Sequence, residues 1–356
     1  MVRDSMVRSW IALFVLTALT NVSAQWQLQD SHSSANLRGI HSVDGRVAWA
    51  SGAEGTVLRT EDGGEHWQKC VTPEGGDKLD FRGIWAWDTR RALVMSSGPG
   101  DQSRIYRTTD GCAHWREENR NAEKDGFWDA LVFPPRDFGV PGESGLLIGD
   151  PVHGHFYTEV MRPGNGGVVD DSACAARPDE AAFAASNSSV FVFGSRQYMI
   201  ATGGKGGPHI LLSPLLAHRE DPAKGCMEVA VPLAGGSESA GVFSLAFRNA
   251  KKGVAVGGDY KHPEATSGTA AWTADGGKHW TAAAKQPHGY RSSVAWYAAA
   301  NAWIAAGTNG SDVSYDDGKT WLPLDNGNWN AISMPYIVGP SGRVAKLQPN
   351  ALRRLR

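Results

Sequence analysis

The octapeptide Thr60-Glu61-Asp62-Gly63-Gly64-Glu65-His66-Trp67 decides the fold, because the chain repeats it three times. It returns as TTDGCAHW at 108–115, TADGGKHW at 273–280 and SYDDGKTW at 314–321. The Asp (Asp62, Asp110, Asp275, Asp316) belongs in a tight turn, where its carboxylate accepts bonds from backbone N–H groups two residues on. The glycines supply left-handed backbone angles that other residues resist. The Ser or Thr ends one strand, and the Trp (Trp67, Trp115, Trp280, Trp321) opens the next and packs between neighbouring sheets. A catalytic residue would not be needed four times, so the role of these positions is structural. In the second copy Cys112 stands where Gly is usual.

Each octapeptide closes a longer unit: an apolar strand with an aromatic or bulky start, a second strand ending in small residues, a Gly-rich turn and a third strand. The units begin LRGIHSV (37–43), FRGIWAW (81–87), FWDALVF (127–133), AAFAASNSSVFVF (181–193), VFSLAF (242–247) and YRSSVAW (290–296). In the third the turn has eroded through 162–167. The seventh unit has three strands, at 329–333, 335–339 and 343–347, and no outer one. Trp26-Gln27-Leu28-Gln29 reads like the strand that follows the repeated Trp, and would close the last blade and remove the open edge. The expectation is an all-β, seven-bladed β-propeller over residues 25–356, as one domain.

Residues 1–24 read as a signal peptide. Arg3 and Arg8 give a positive start, 10–19 (WIALFVLTAL) is apolar, and Val22-Ser23-Ala24 is a small-residue cleavage site before Gln25. The apolar run is too short to span a bilayer. The chain is therefore expected to be secreted or periplasmic, and monomeric, with no membrane span. Removing the segment takes away a net charge of +1 and moves the chain from −2 to −3. That balance offers nothing to nucleic acid, and the tail at 353–356 reads as a solvated end. Four cysteines in an exported chain make two disulfides by three connectivities. Cys70–Cys112 with Cys174–Cys226 would staple adjacent blades; buried free thiols are the alternative.

Propeller topology puts the repeated turns on one face and the starts of the innermost strands on the other. On that second face, equivalent positions carry Arg38, Arg82, Trp128, Ser244, Arg291 and Asn330. The turns after the second strands add Glu54, Asp150, Asp259, Tyr260 and Asn309, and blade four adds Asn187. Three guanidinium groups converging on the axis suit bidentate capture of a carboxylate or phosphate. Alternatively they pair with Glu54, Asp150 and Asp259 and line a solvated channel. His153 and His155 have no third identified ligand near them in the sequence, so no metal or cofactor is expected.

With its (F/L)RGI starts and T-x-DGG-x-HW turns, the chain resembles the BNR/Asp-box propellers. Within these it looks most like the seven-bladed proteins related to photosystem II stability and assembly factors. That resemblance implies a non-catalytic binding or assembly scaffold with an arginine-lined face, for which Arg38, Arg82 and Arg291 are the matching residues. A protein partner, or an anionic or carbohydrate ligand, would sit at the central channel. The chain also resembles sialidases and other Asp-box glycoside hydrolases. There the same arginines would mimic the substrate-carboxylate triad, with Tyr260, Glu54 and Asp150 as the remaining parts, or Asp150 and Asp259 as the working carboxylates. Two departures count against hydrolysis: the Phe/Tyr-Arg-Ile-Pro signature is absent, and sialidases have six blades.

Overall fold

The computed structural model describes residues 25–134, 144–161, 167–169, 174–193, 197–214, 225–348 and 351–354. The signal-peptide reading of 1–24 and most of the eroded turn at 162–167 lie outside these residues, as do the side chains of the arginine tail. Seven antiparallel sheets form the ring. Blade one runs Leu37–Ser42, Ala48–Gly52, Val57–Thr60 and Gln68–Lys69 from the axis outward, and blade two repeats the order from Phe81–Ala86 to Arg116–Arg120. Blades three to six start at Trp128–Val132, Val190–Phe193, Ala240–Phe247 and Ser293–Tyr297. Blade seven is built from Ala331–Ser333, Tyr336–Val338 and Val344–Leu347, and Trp26–Gln29 is its outermost strand. The pairing of Trp26 with Leu347 and Gln29 with Val344 shuts the ring. Among the described residues no helix is long and apolar enough to cross a membrane.

Alternation along the strands explains why flat sheets hold together this way. Each sheet buries both faces against its neighbours, so apolar residues pack between blades and not in one central core. Seven hydrophobic clusters result, one at each blade-to-blade contact around the ring. Val47, Trp49 and Val57 of blade one meet Phe81, Ile84 and Val94 of blade two; Leu37 and Leu58 meet Tyr336 and Val344 of blade seven. The repeated Trp anchors these seams. Trp321 is fully buried, which at about 25 cal/mol per Å² is worth roughly 5 kcal/mol for a side chain of this size.

The repeated turn reaches further along the chain than expected. Asp62 Oδ1 accepts the His66 N–H, four residues on and not two, at 3.0 Å, and Oδ2 meets the His66 ring 2.7 Å away. Thr60 Oγ1 accepts the Gly64 N–H at 2.9 Å. The same bonds recur at Asp110 and Asp275, and at Asp316 the Thr320 N–H and hydroxyl take the place of the His N–H and ring. Bonds from the His114 ring and backbone outweigh burial and hold the Asp110 carboxyl at about 2. Cys112 takes the left-handed conformation of the glycine it replaces (φ 67°).

Cys112 bonds to Cys70, and Cys174 to Cys226, with Cα atoms 5.4 and 4.8 Å apart. The first bridge ties the outer edge of blade one to the turn of blade two. Its 42-residue separation corresponds to about 4 kcal/mol of loop-closure entropy removed from the unfolded chain.

Candidate functional site

A backbone irregularity places the side chains at the axis. Where the innermost strand begins in blades one, two, three and five, the register slips by one residue: between Leu37 and Gly39, Phe81 and Gly83, Trp128 and Ala130, and Val242 and Ser244. The skipped residues are Arg38, Arg82, Asp129 and Phe243. The residue before each skipped one is buried: Leu37, Phe81, Trp128 and Val242 are at most 1% exposed. A bulge leaves the extra residue unpaired and re-aims its side chain.

This alignment corrects the sequence reading by one position in three blades. Trp128 occupies the buried position and stacks on Tyr157 at 6.1 Å, so Asp129 takes its place at the axis; in blade five Phe243 replaces Ser244. In blade six Ser293 pairs with Ala306, as Gly39 does with Ser51, which makes Arg291 the counterpart of Leu37. A single-residue slip moves a side chain to the other face.

Arg291 accordingly has no exposed surface. Its Nε donates to Asp312 Oδ2 at 2.6 Å, its Nη1 to Asn309 Oδ1 and the Tyr290 carbonyl at 2.6 Å each, and its Nη2 lies 2.9 Å from His288 Nδ1. Burial lowers its pKa, and Asp312 opposes that shift. Asn309 is spent on this network and on the Pro263 carbonyl. The expected triad of arginines is therefore a pair.

That pair is Arg38 and Arg82. Arg82 Nε donates to Asp80 Oδ2 at 2.7 Å and Nη1 to the Ala184 carbonyl of blade four at 3.2 Å. Arg38 Nε is buried without a hydrogen bond, as is Asp80 Oδ1. Burial, and then the like charge of Arg82, hold the Arg38 pKa below its ordinary value, while Asp80 and Tyr290 pull the other way. Beside them lies an aromatic cluster: Phe183 stacks on Phe243 at 3.9 Å, Tyr290 meets Phe243 edge-on at 4.8 Å, and Tyr260 completes the group. Tyr260 is 45% exposed and Tyr290 4%. Burial raises the Tyr290 pKa, with Arg38 opposing.

The carboxylates named from the sequence have separate surroundings. Asp150, expected to face Asp259, instead interacts with Asp129. Burial and Asp150 raise the Asp129 pKa, and Arg82 opposes them; burial lifts Asp150 to about 6 against the N–H bond from Ala182. Asp259 is held in its own turn by the Lys261 N–H and the His262 ring. Glu54 is an exposed turn residue with a left-handed backbone.

Blade four fills the axis. Asn187 Oδ1 accepts the Leu131 N–H at 2.7 Å and Nδ2 donates to the Leu131 carbonyl at 2.8 Å. Ser186 Oγ donates to the Ser292 carbonyl of blade six, and Ser188 Oγ lies 2.7 Å from Ser244 Oγ of blade five. These side chains pin four blades together, so Asn187 is placed as a structural residue. Asn330 likewise bonds to Asn36 and the Leu37 carbonyl.

No family model and no curated protein matches the chain. Solved structures do. The chain is similar to YCF48 bound to D1 peptide, at 15% identity over 91% of this chain and 96% of that one, with a TM-score of 0.55. The fold is shared with YCF48. It is also shared with the WD40 repeats of RRP9 (12% identity, 92% and 98% covered, TM-score 0.60). A second YCF48, from Cyanidioschyzon merolae, matches at 13% identity over 92% and 100%, with a TM-score of 0.47. The resemblance drawn from the repeats thus leads to the same seven-bladed ring as the solved YCF48.

Proposed function

We propose that the protein is an exported, non-catalytic scaffold that holds a protein partner on the face around Arg38 and Arg82. The observation that carries this reading is the half-buried Arg38 guanidinium, beside a second arginine and with its buried Nε unbonded, close to the Tyr290 ring and through it to the exposed ring of Tyr260. A desolvated cation with spare donor capacity is costly unless something anionic completes it. Aromatic side chains next to arginine make the usual anchors of a protein interface. YCF48, which shares the fold, has been seen bound to D1 peptide. Two disulfides fit an oxidising compartment.

Hydrolysis is the weaker reading. Asp150 at about 6 has the pKa of a general acid, but its neighbour Asp129 is 1% exposed and Asp259 is committed to its turn. In-cell crosslinking tests the scaffold. Wild-type protein should recover a defined partner, and the Arg38→Ala/Arg82→Ala protein should lose it while keeping the wild-type circular dichroism. Undiminished capture by that variant, or turnover of aryl glycosides abolished in Asp150→Asn, would overturn the proposal.

A further inference from the structure

Next to the arginine pair lies a concave site of opposite sign. A cleft of about 510 Å³ opens where blade three meets blade four, lined among others by Asp125, Asp150, Arg177, Asp179 and Glu180. Two of these charges are already used. Arg177 grips both oxygens of Glu228. Glu180 serves the Arg177 N–H, Thr202 and His209. Lys205, whose charge Asp179 feels, is bonded to Glu238. Among the described residues, that leaves the Asp125, Asp150 and Asp179 carboxylates with no ion pair.

A second, independent feature lies beside Asp150. Asp129 is 1% exposed and its Oδ2 has no hydrogen bond. Arg82 is the cation that reaches it, yet the bonds of Arg82 go to Asp80 and Ala184. Asp129 is out of water and incompletely bonded, while its neighbour Asp150 is half-buried and faces the cleft; a positive charge at Asp150 would offset the burial that disfavours both ionised forms.

Size and spacing decide which cation. A metal ion needs ligand atoms that converge; among the described residues the acidic or His group that does so is Asp62, Glu65 and His66, in the first repeated turn. The cleft also exceeds by more than tenfold the ~30 Å³ that one water occupies, so it suits a side chain and not a bare ion. We propose that this cleft receives the lysine or arginine side chain of a bound protein segment, with Asp150 as its counter-ion. The inference rests on the scaffold reading. It adds that the partner is bipolar, with an acidic group for Arg38 and Arg82 and a basic one beside it.

The test uses amide NMR of the full chain with acetylated, amidated Gly-Arg-Gly, Gly-Lys-Gly and Gly-Gln-Gly, and separately calcium chloride. The Arg or Lys peptide should shift the Ala182 amide, which bonds to Asp150, in a saturable way. Asp150→Asn should weaken that binding about tenfold or more, as loss of a charge partner does. Asp179→Asn, a change tolerated at its left-handed backbone, should weaken it less. Equal binding of the Gln peptide, saturation by calcium alone, or no shift at Ala182 would each overturn the inference. Partner capture that needs Arg82 but persists in Asp150→Asn would sink the cleft and leave the scaffold standing. Peptide binding without any arginine-dependent partner would do the reverse.

Discussion

Replacing Arg291 with Ala removes a fully buried guanidinium and strands its partner. Both Arg291 and Asp312 have no exposed side-chain surface, so Asp312 keeps a charge in a site that water does not reach. Breaking one side of a buried ion pair costs about 3–5 kcal/mol, or roughly 5–8 °C in melting temperature for a ring of this size. The Arg291→Met/Asp312→Leu double variant removes both charges. The counterparts of Arg291 in blades one and five are Leu37 and Val242, so an apolar residue suits the position. The double variant should recover at least half of the loss. Urea unfolding followed by tryptophan fluorescence measures all three proteins. If Arg291→Ala unfolds within about 1 kcal/mol of wild type, or if the double variant is no better than the single, the guanidinium is not buried as described. The reassignment of Arg291 from the axis to the blade interior would then fail with it.

Two further outcomes follow from the same geometry. Asn187→Ala leaves the Leu131 N–H and carbonyl without their side-chain partners, at about 1–3 kcal/mol each; hydrogen exchange at Leu131 should accelerate while the repeated turns stay protected. Asp150 gives a pH dependence whose sign is fixed. Its carboxyl titrates at about 6 in the folded chain, raised by burial from an ordinary 3.8, so the folded state holds a proton that the unfolded state has released. Stability from this group is complete below about pH 4 and is lost as pH rises through about 6. Asp150→Asn should flatten the urea midpoint between about pH 4 and 6. The depressed carboxyl of Asp110 acts in the opposite direction and below that window.

The seven blades were legible because the repeated turn and the alternating strands are local patterns. The closing strand at Trp26–Gln29 was legible because it looks like the segment after each repeated Trp. The axis was legible only in part. Arg38 and Arg82 follow a bulky residue and precede Gly-Ile, and Tyr290-Arg291 imitates that start. The imitation fails because the innermost strand of blade six begins one residue later, at Ser293 against Ala306. Asp129 was hidden by the same bulge, a backbone event with no side-chain signature. An acidic residue directly after the large aromatic Trp128 was the available hint. The cleft brings 150–154 together with 176–181, and no periodicity marks segments joined only by the ring.

The pairing of Trp26 with Leu347 has a kinetic consequence. The strand nearest one end of the chain cannot be seated until the strand nearest the other end exists. Bringing them together costs about 5 kcal/mol of chain entropy by the logarithmic length rule. Six sheets can assemble by short hairpins while the seventh waits, with its apolar flank uncovered, for a latch far away along the chain. Ring closure is thus the step at which the last open sheet edge of the molecule is covered.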